Sequence, residues 1–279
     1  MAFGVYSLII CCVAVLVIYL WRSSQTFRFY TKYCYYYANM QLLAFLLVLP
    51  SLLTPGDPVN IRYFQVLANY TFKLIGITVE KRNTEELENL NKPAILLVNH
   101  QDTVDIISLM TVTPYRATFL AKKQILYWGY FGLTAWLNGF VFIDRLNPEK
   151  ARGTMKRVVN IIQERKIKLW IFPEGTRNMK GDMLPFKKGA FHLAIQAQVP
   201  IYPLVLSSYR YFLDPDKKIF NKGKVIASCL PPFETKDLTS EDVNGLLDKV
   251  RSAMQAEFKK ISMEMEERAE IAGNSLLVE

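Results

Sequence analysis

Ala94-Ile95-Leu96-Leu97-Val98-Asn99-His100 is five apolar residues that end on an amide and an imidazole. A run this short, apolar at every position rather than at alternate ones, reads as a strand buried on both faces, as in a parallel sheet covered by helices. The rest of the chain repeats the pattern. Gly139 to Ile143, Lys168 to Phe172 and Ile201 to Leu206 read as further strands, and Lys224 to Cys229 as an edge strand. Between them, Asp102 or Thr103 caps a helix through about Thr111. Pro148 to Lys166 is a helix with apolar Met155, Val158, Val159 and Ile162, and Phe186 to Gln198 is another. From Thr239, with Asp242 in a capping arrangement, an amphipathic helix over about 240–263 carries Val243, Leu246, Val250 and Met254 on one stripe. The charged tail after Glu264 is expected to fray. The alternation predicts an α/β domain.

The 279 residues, 51% of them hydrophobic, suffice for one sizeable core, and no internal repeat or long linker divides them. Formal net charge is +9, which favours an anionic partner: an acidic membrane face or a phosphate-rich small molecule. Nucleic acid is disfavoured, because the Lys and Arg residues are dispersed and match no zinc-finger or RNA-binding spacing. Cys11, Cys12, Cys34 and Cys229 form no Cys-x-x-Cys or Cys/His cluster, so neither a metal site nor a disulfide framework is expected.

Mean hydropathy is slightly positive at +0.11, and the apolar excess is concentrated at the start. Phe3 to Trp21 carries no charge and is long enough to cross a bilayer, which takes about 20 apolar residues as a helix. Trp21-Arg22-Ser23-Ser24 follows in place of a small-residue cleavage site, so a membrane anchor is expected rather than a cleaved signal. Arg22, Arg28 and Lys32 put its C-terminal side in the cytosol. A second apolar stretch, Tyr33 to Leu53, either spans or lies in the interface and returns. Tyr127 to Ile143 contains three glycines, an asparagine and seven aromatic side chains, and reads as a buried helix and a strand with an interfacial aromatic surface. The division expected is residues 1–60 as membrane-anchoring helices and 61–279 as the catalytic domain.

Two blocks carry chemistry. His100 precedes Asp105 by five residues; in one uninterrupted helix their side chains would diverge by roughly 140°. They meet only if His100 lies in the loop after the strand and Asp105 in the first helical turns, as the reading above places them. A carboxylate on one ring nitrogen leaves the other as a general base. No Gly-x-Ser-x-Gly occurs, so the attacking group is expected to be a substrate hydroxyl. Downstream, Phe172-Pro173-Glu174-Gly175-Thr176-Arg177 follows a strand and brings a guanidinium in a glycine-containing turn, suited to a phosphate. Lys187 adds a cation at the next helix start, and Arg145, beside Asp144, another guanidinium. Glu174 either orients Arg177 or the acceptor, or forms a structural ion pair. His192, beside Phe191 and Leu193, reads as core.

Asn99-His100 to Asp105, Gly139 to Arg145, Phe172 to Arg177 and Val199-Pro200-Ile201-Tyr202-Pro203-Leu204 resemble, in order and spacing, the four motifs of the glycerolipid acyltransferases. The likeness is strong over 93–209 and is greatest to the eukaryotic lysophosphatidic acid acyltransferases. It implies a central mixed sheet flanked by helices and transfer of an acyl chain from acyl-CoA to the sn-2 hydroxyl of lysophosphatidic acid at a membrane. It implies His100 as base with Asp105 as its partner. Arg177, with Glu174, Gly175, Thr176, Arg145 and Lys187 around it, would form the phosphate site, and amides near Gly175 or elsewhere would hold the oxyanion. No bound cofactor is implied beyond acyl-CoA as co-substrate, and the setting is the endoplasmic reticulum membrane with the site at its cytosolic face. Oligomeric state has no signature. Many relatives carry a small hydroxyl residue at position 102, where Asp102 here adds a second carboxylate that would compete for the ring or perturb the base. Two other readings stay open: an acyltransferase with glycerol 3-phosphate or another lysophospholipid as acceptor, and a non-catalytic lipid-binding protein.

Overall fold

The computed structural model describes residues 2–144 and 148–275, with side chains over 3–144 and 153–271. Two long helices open the chain, α1 (Ala2–Ser23) and α2 (Gln25–Leu52). They part at Ser24, whose backbone is extended and whose hydroxyl oxygen accepts from the Phe27 N–H at 3.2 Å. There follow α3 (Ile61–Thr71), β1 (Ile77–Arg82), the single turn α4 (Glu85–Glu88), β2 (Ala94–Val98), α5 (Asp105–Val112) and β3 (Ala117–Lys122). Then come α6 (Gly129–Leu137), β4 (Val141–Ile143), α7 (Pro148–Arg165), β5 (Lys168–Ile171), α8 (Gly189–Ala197) and β6 (Ile201–Leu206). A small hairpin, β7 (Leu213–Asp214) with β8 (Ile219–Phe220), precedes β9 (Gly223–Cys229) and α9 (Val243–Ser275).

The main sheet has the order β1-β9-β6-β2-β5-β3-β4. β2 lies at its centre, parallel to both β5 and β6. Its residues alternate between two cores: Leu96 and Val98 join Trp170, Tyr202 and the α2 and α3 side chains, while Ile95 and Leu97 join those of α7, α8 and α9. Ile95, Leu96 and Leu97 are 0% exposed, and each contributes about 1.5–3 kcal/mol of burial. The strand is apolar throughout because both faces are covered. α2 buries Phe29, Tyr36, Met40, Leu43 and Leu47 in the first of these cores, whereas α1 is exposed along its apolar length.

Several expectations are corrected. The strand at 224–229 is interior: β1, which the sequence pattern concealed, pairs in parallel from Ile77↔Gly223 to Arg82↔Ser228 and takes the edge. Asp102 does not cap α5 itself; it accepts from the Val104 N–H at 3.2 Å in the turn before the helix, which begins at Asp105. Phe186 to Lys188 precede α8 as a loop fixed by the Lys187 N–H on Pro173 O at 2.8 Å. The stretch after Glu264 continues α9, because Glu264 pairs with Arg82 at 2.6 Å and Arg268 with Glu80 at 2.9 Å, fastening it to β1. α6 is buried on one face, and its exposed Tyr130 and Trp136 agree with the aromatic surface expected there. His192 is half-buried rather than core.

Candidate active site

The parallel strands β2, β5, β3 and β4 end on one edge of the sheet, the usual place for ligands in α/β folds. His100 leaves β2 there and Phe172 to Arg177 leaves β5 beside it. His100 Nδ1 lies 2.7 Å from Asp105 Oδ2. Since a carboxylate accepts, Nδ1 carries the proton and Nε2 presents a lone pair; Nε2 bonds no described residue. The ring stacks on Phe172 with centroids 3.8 Å apart, which leaves its in-plane freedom to Asp105. Asp105 is 1% exposed, and its Oδ2 also accepts the Gln101 N–H at 2.9 Å while Oδ1 accepts that of Asp102 at 3.3 Å. These amides hold a charged group that burial alone would disfavour.

Glu174 does something other than orient Arg177. Its Oε1 accepts the His100 N–H at 2.8 Å and its Oε2 the Leu184 N–H at 2.9 Å, so one buried carboxylate bridges two loops. Burial pushes its pKa up, opposed by the two amides. The Asn178 N–H returns the link, donating to His100 O at 2.9 Å. Gly175 takes φ +72°, and a Cβ there would stand 2.9 Å from Lys187 Nζ, so the lysine lies directly across the turn. The Gly175 N–H donates to Phe172 O at 3.1 Å and is thereby spent, which removes it as an oxyanion donor.

Thr176 and Arg177 are exposed. Arg177 lines a polar cavity of about 690 Å³ with Lys180, Arg210, Asn178, Gln101 and the carboxylates Asp102, Asp214 and Asp216. Of these, the sequence pattern had pointed to Arg177 alone as a cation. Arg145 lies outside the described residues. Its neighbour Asp144 lines a separate cavity of about 430 Å³ with Lys123 and Arg157. A third, apolar cavity of about 120 Å³ opens at His100 and runs along Tyr36, Tyr37, Met40, Trp128, Phe131 and Phe172. Asp102 borders both this and the polar cavity. It does not take the imidazole: its Oδ1 accepts from Thr103 Oγ1 at 3.0 Å as well as from Val104. Burial, then the charge of Asp105, raises its pKa.

The loop between His100 and Asp105 is also held by tyrosines of the second apolar stretch, Tyr33 to Leu53. Tyr36 OH donates to Thr103 O at 2.6 Å, Tyr37 OH lies 3.2 Å from Thr103 Oγ1, and Tyr33 faces Asp102. Their spacing of one turn along α2 was the available signal.

A family model described as Acyltransferase matches residues 78–207. The human 1-acyl-sn-glycerol-3-phosphate acyltransferase alpha is 38% identical over 244 residues, 87% of this chain and 86% of the relative. This chain belongs to the 1-acyl-sn-glycerol-3-phosphate acyltransferase family. The human beta form is 36% identical and covers 94% of each chain, and the Escherichia coli (strain K12) member is 35% identical over 222 residues. The crystal structure of the 1-acyl-sn-glycerophosphate (LPA) acyltransferase PlsC from Thermotoga maritima shares the fold, with a TM-score of 0.66 at 20% identity over 85% of this chain. The matched segment of this acyltransferase runs from β1 through β6, so it contains both loops that meet at His100.

Proposed function

We propose that this acyltransferase-family chain moves an acyl group from acyl-CoA to the sn-2 hydroxyl of 1-acyl-glycerol 3-phosphate, forming phosphatidic acid and free CoA thiol. The observation that carries the reading is His100 with Nδ1 on Asp105 at the apolar cavity, which shares Asp102 with the polar cavity of Arg177. The acceptor has the same polarity: phosphate at one end, acyl chain at the other, the reacting hydroxyl between. His100 Nε2 takes the hydroxyl proton as the oxygen adds to the thioester carbonyl; Asp105 stabilises the imidazolium. Collapse of the tetrahedral species breaks the C–S bond, and the leaving thiolate takes the proton from the imidazolium. Arg177 grips the phosphate, with Lys187 across the Gly175 turn, Thr176 beside it and Arg145 as a further cation. Glu174 and Gly175 shape that turn rather than touch the anion.

The setting is a bilayer. α1, whose 0% buried apolar window has a mean hydropathy of 2.6, and the exposed side of α2 are long and apolar enough to cross or enter one. Arg22, Arg28 and Lys32 support a site at the cytosolic face, and the family resemblance implies the endoplasmic reticulum. The deciding assay offers purified protein each acceptor in turn, lysophosphatidic acid, glycerol 3-phosphate and a lysophospholipid with a larger headgroup, with acyl-CoA or an acyl carrier protein thioester as donor. Thiol release that requires lysophosphatidic acid supports the reading. Faster turnover with another acceptor or with the carrier protein replaces that part of it, and binding without turnover favours a lipid-binding protein.

A further inference from the structure

Tyr209 follows β6 and is 1% exposed, with its N–H donating to Gln101 Oε1 at 3.1 Å. Its hydroxyl has Asp105 and Ser108 as its polar neighbours. Ser108 stands one turn along α5 from Asp105 and is also 1% exposed. Neither the Tyr209 OH nor Ser108 Oγ completes a hydrogen bond in the resting geometry. Buried hydroxyls are seldom left so, because each costs about 1–3 kcal/mol unpaired. Asp105 meanwhile has spare acceptor capacity on one atom: Oδ2 already takes the imidazole and the Gln101 N–H, while Oδ1 has one long bond at 3.3 Å.

We infer that Tyr209, seconded by Ser108, is a positioning residue for the reaction: its hydroxyl donates to Oδ1 of Asp105 as His100 becomes charged, holding the carboxylate in line with the ring. The inference rests on His100 as general base. A bond that tightens only when the imidazolium forms lowers the barrier without strengthening substrate binding. The donor–carboxylate pair is charge-assisted, so its loss is expected to lower kcat about 10- to 100-fold. Because the hydroxyl is unpaired at rest, a purely structural role predicts the opposite for Tyr209→Phe: unchanged turnover in a protein at least as stable.

The test compares the full chain with Tyr209→Phe, Asp105→Asn, the double variant and His100→Ala, reading kcat, acceptor KM and melting temperature. Tyr209→Phe is expected to lose kcat by that factor with KM and melting temperature held, and to lose less than about twofold more in the Asp105→Asn background, since residues acting as one unit are non-additive. Wild-type kcat in Tyr209→Phe, with His100→Ala inactive, overturns this inference alone. So does an undiminished effect in the Asp105→Asn background. A folded His100→Ala that still turns over removes the general-base reading itself. If Tyr209→Phe fails to fold, Ser108→Ala is read in its place, and wild-type kcat there overturns the inference.

Discussion

Glu174 spends its charge on backbone amides, and that decides what its loss does. Glu174→Ala strands the His100 and Leu184 N–H groups, each at a cost of about 1–3 kcal/mol, and frees the loop that aims the imidazole. A fall in both melting temperature and kcat is expected; a loss of kcat alone would mean that Glu174 touches substrate. Arg177→Ala is expected instead to leave the fold alone and raise the acceptor KM, with little effect on an acceptor that lacks phosphate; equal loss with both acceptors would make Arg177 structural. The meeting of His100 with Asp105 was legible because their spacing brings them together once a strand ends at His100 and a helix starts at Asp105, and Arg177 because it follows a glycine-containing turn. The tasks of Glu174 and Tyr209 were not, because backbone amides leave no trace in a sequence and Tyr209 lies over a hundred residues from its neighbours at 105 and 108.

α2 joins the exposed apolar side of the fold to the loop between His100 and Asp105 through its tyrosines. Tyr36→Phe removes only the hydroxyl on Thr103 O, and is expected to cost about 1–3 kcal/mol of stability for the buried carbonyl left behind together with a drop in kcat. Thermal unfolding and steady-state rates on that variant check it; an unchanged kcat would show that the loop needs no such support. Buried strands such as β2 and β6 could be read directly from their apolar runs. β1 could not: as an edge strand with Glu80, Lys81 and Arg82 it looks like a polar loop, and it is held by its ladder with β9 and by ion pairs with α9. Hydrogen bonds from Lys224 and Arg82 hold the Glu80 pKa down to about 2 from 4.5. A depressed carboxylate stabilises the fold above pH 4.5, and that contribution disappears as pH falls toward about 2. The stability gap between Glu80→Gln and the native chain is therefore expected to be larger at pH 7 than at pH 3 in urea unfolding. A gap that does not narrow would mean Glu80 is not tied to Lys224 and Arg82 in solution.

Exposed apolar side chains line α1, α2 and α6, with Tyr127 and Trp128 exposed just before α6 and Trp136 within it. A chain lacking residues 1–23 is expected to keep its unfolding midpoint, since α1 buries nothing in either core, and still to sediment with vesicles through α2 and α6. Trp136→Ser in that chain is expected to weaken sedimentation while changing stability by no more than about 0.5 kcal/mol. Complete release on removing 1–23 would assign membrane binding to α1 alone. The central claim, that His100 and Asp105 transfer an acyl chain to a hydroxyl held by its phosphate, is tested most directly by identifying the product. Purified protein in lipid is given acyl-CoA and lysophosphatidic acid, beside folded His100→Ala. Phosphatidic acid and free thiol in equal amounts from the native chain, lowered at least about 100-fold in the variant, is the predicted result. Equal product from both proteins, or thiol released without acceptor, would contradict it.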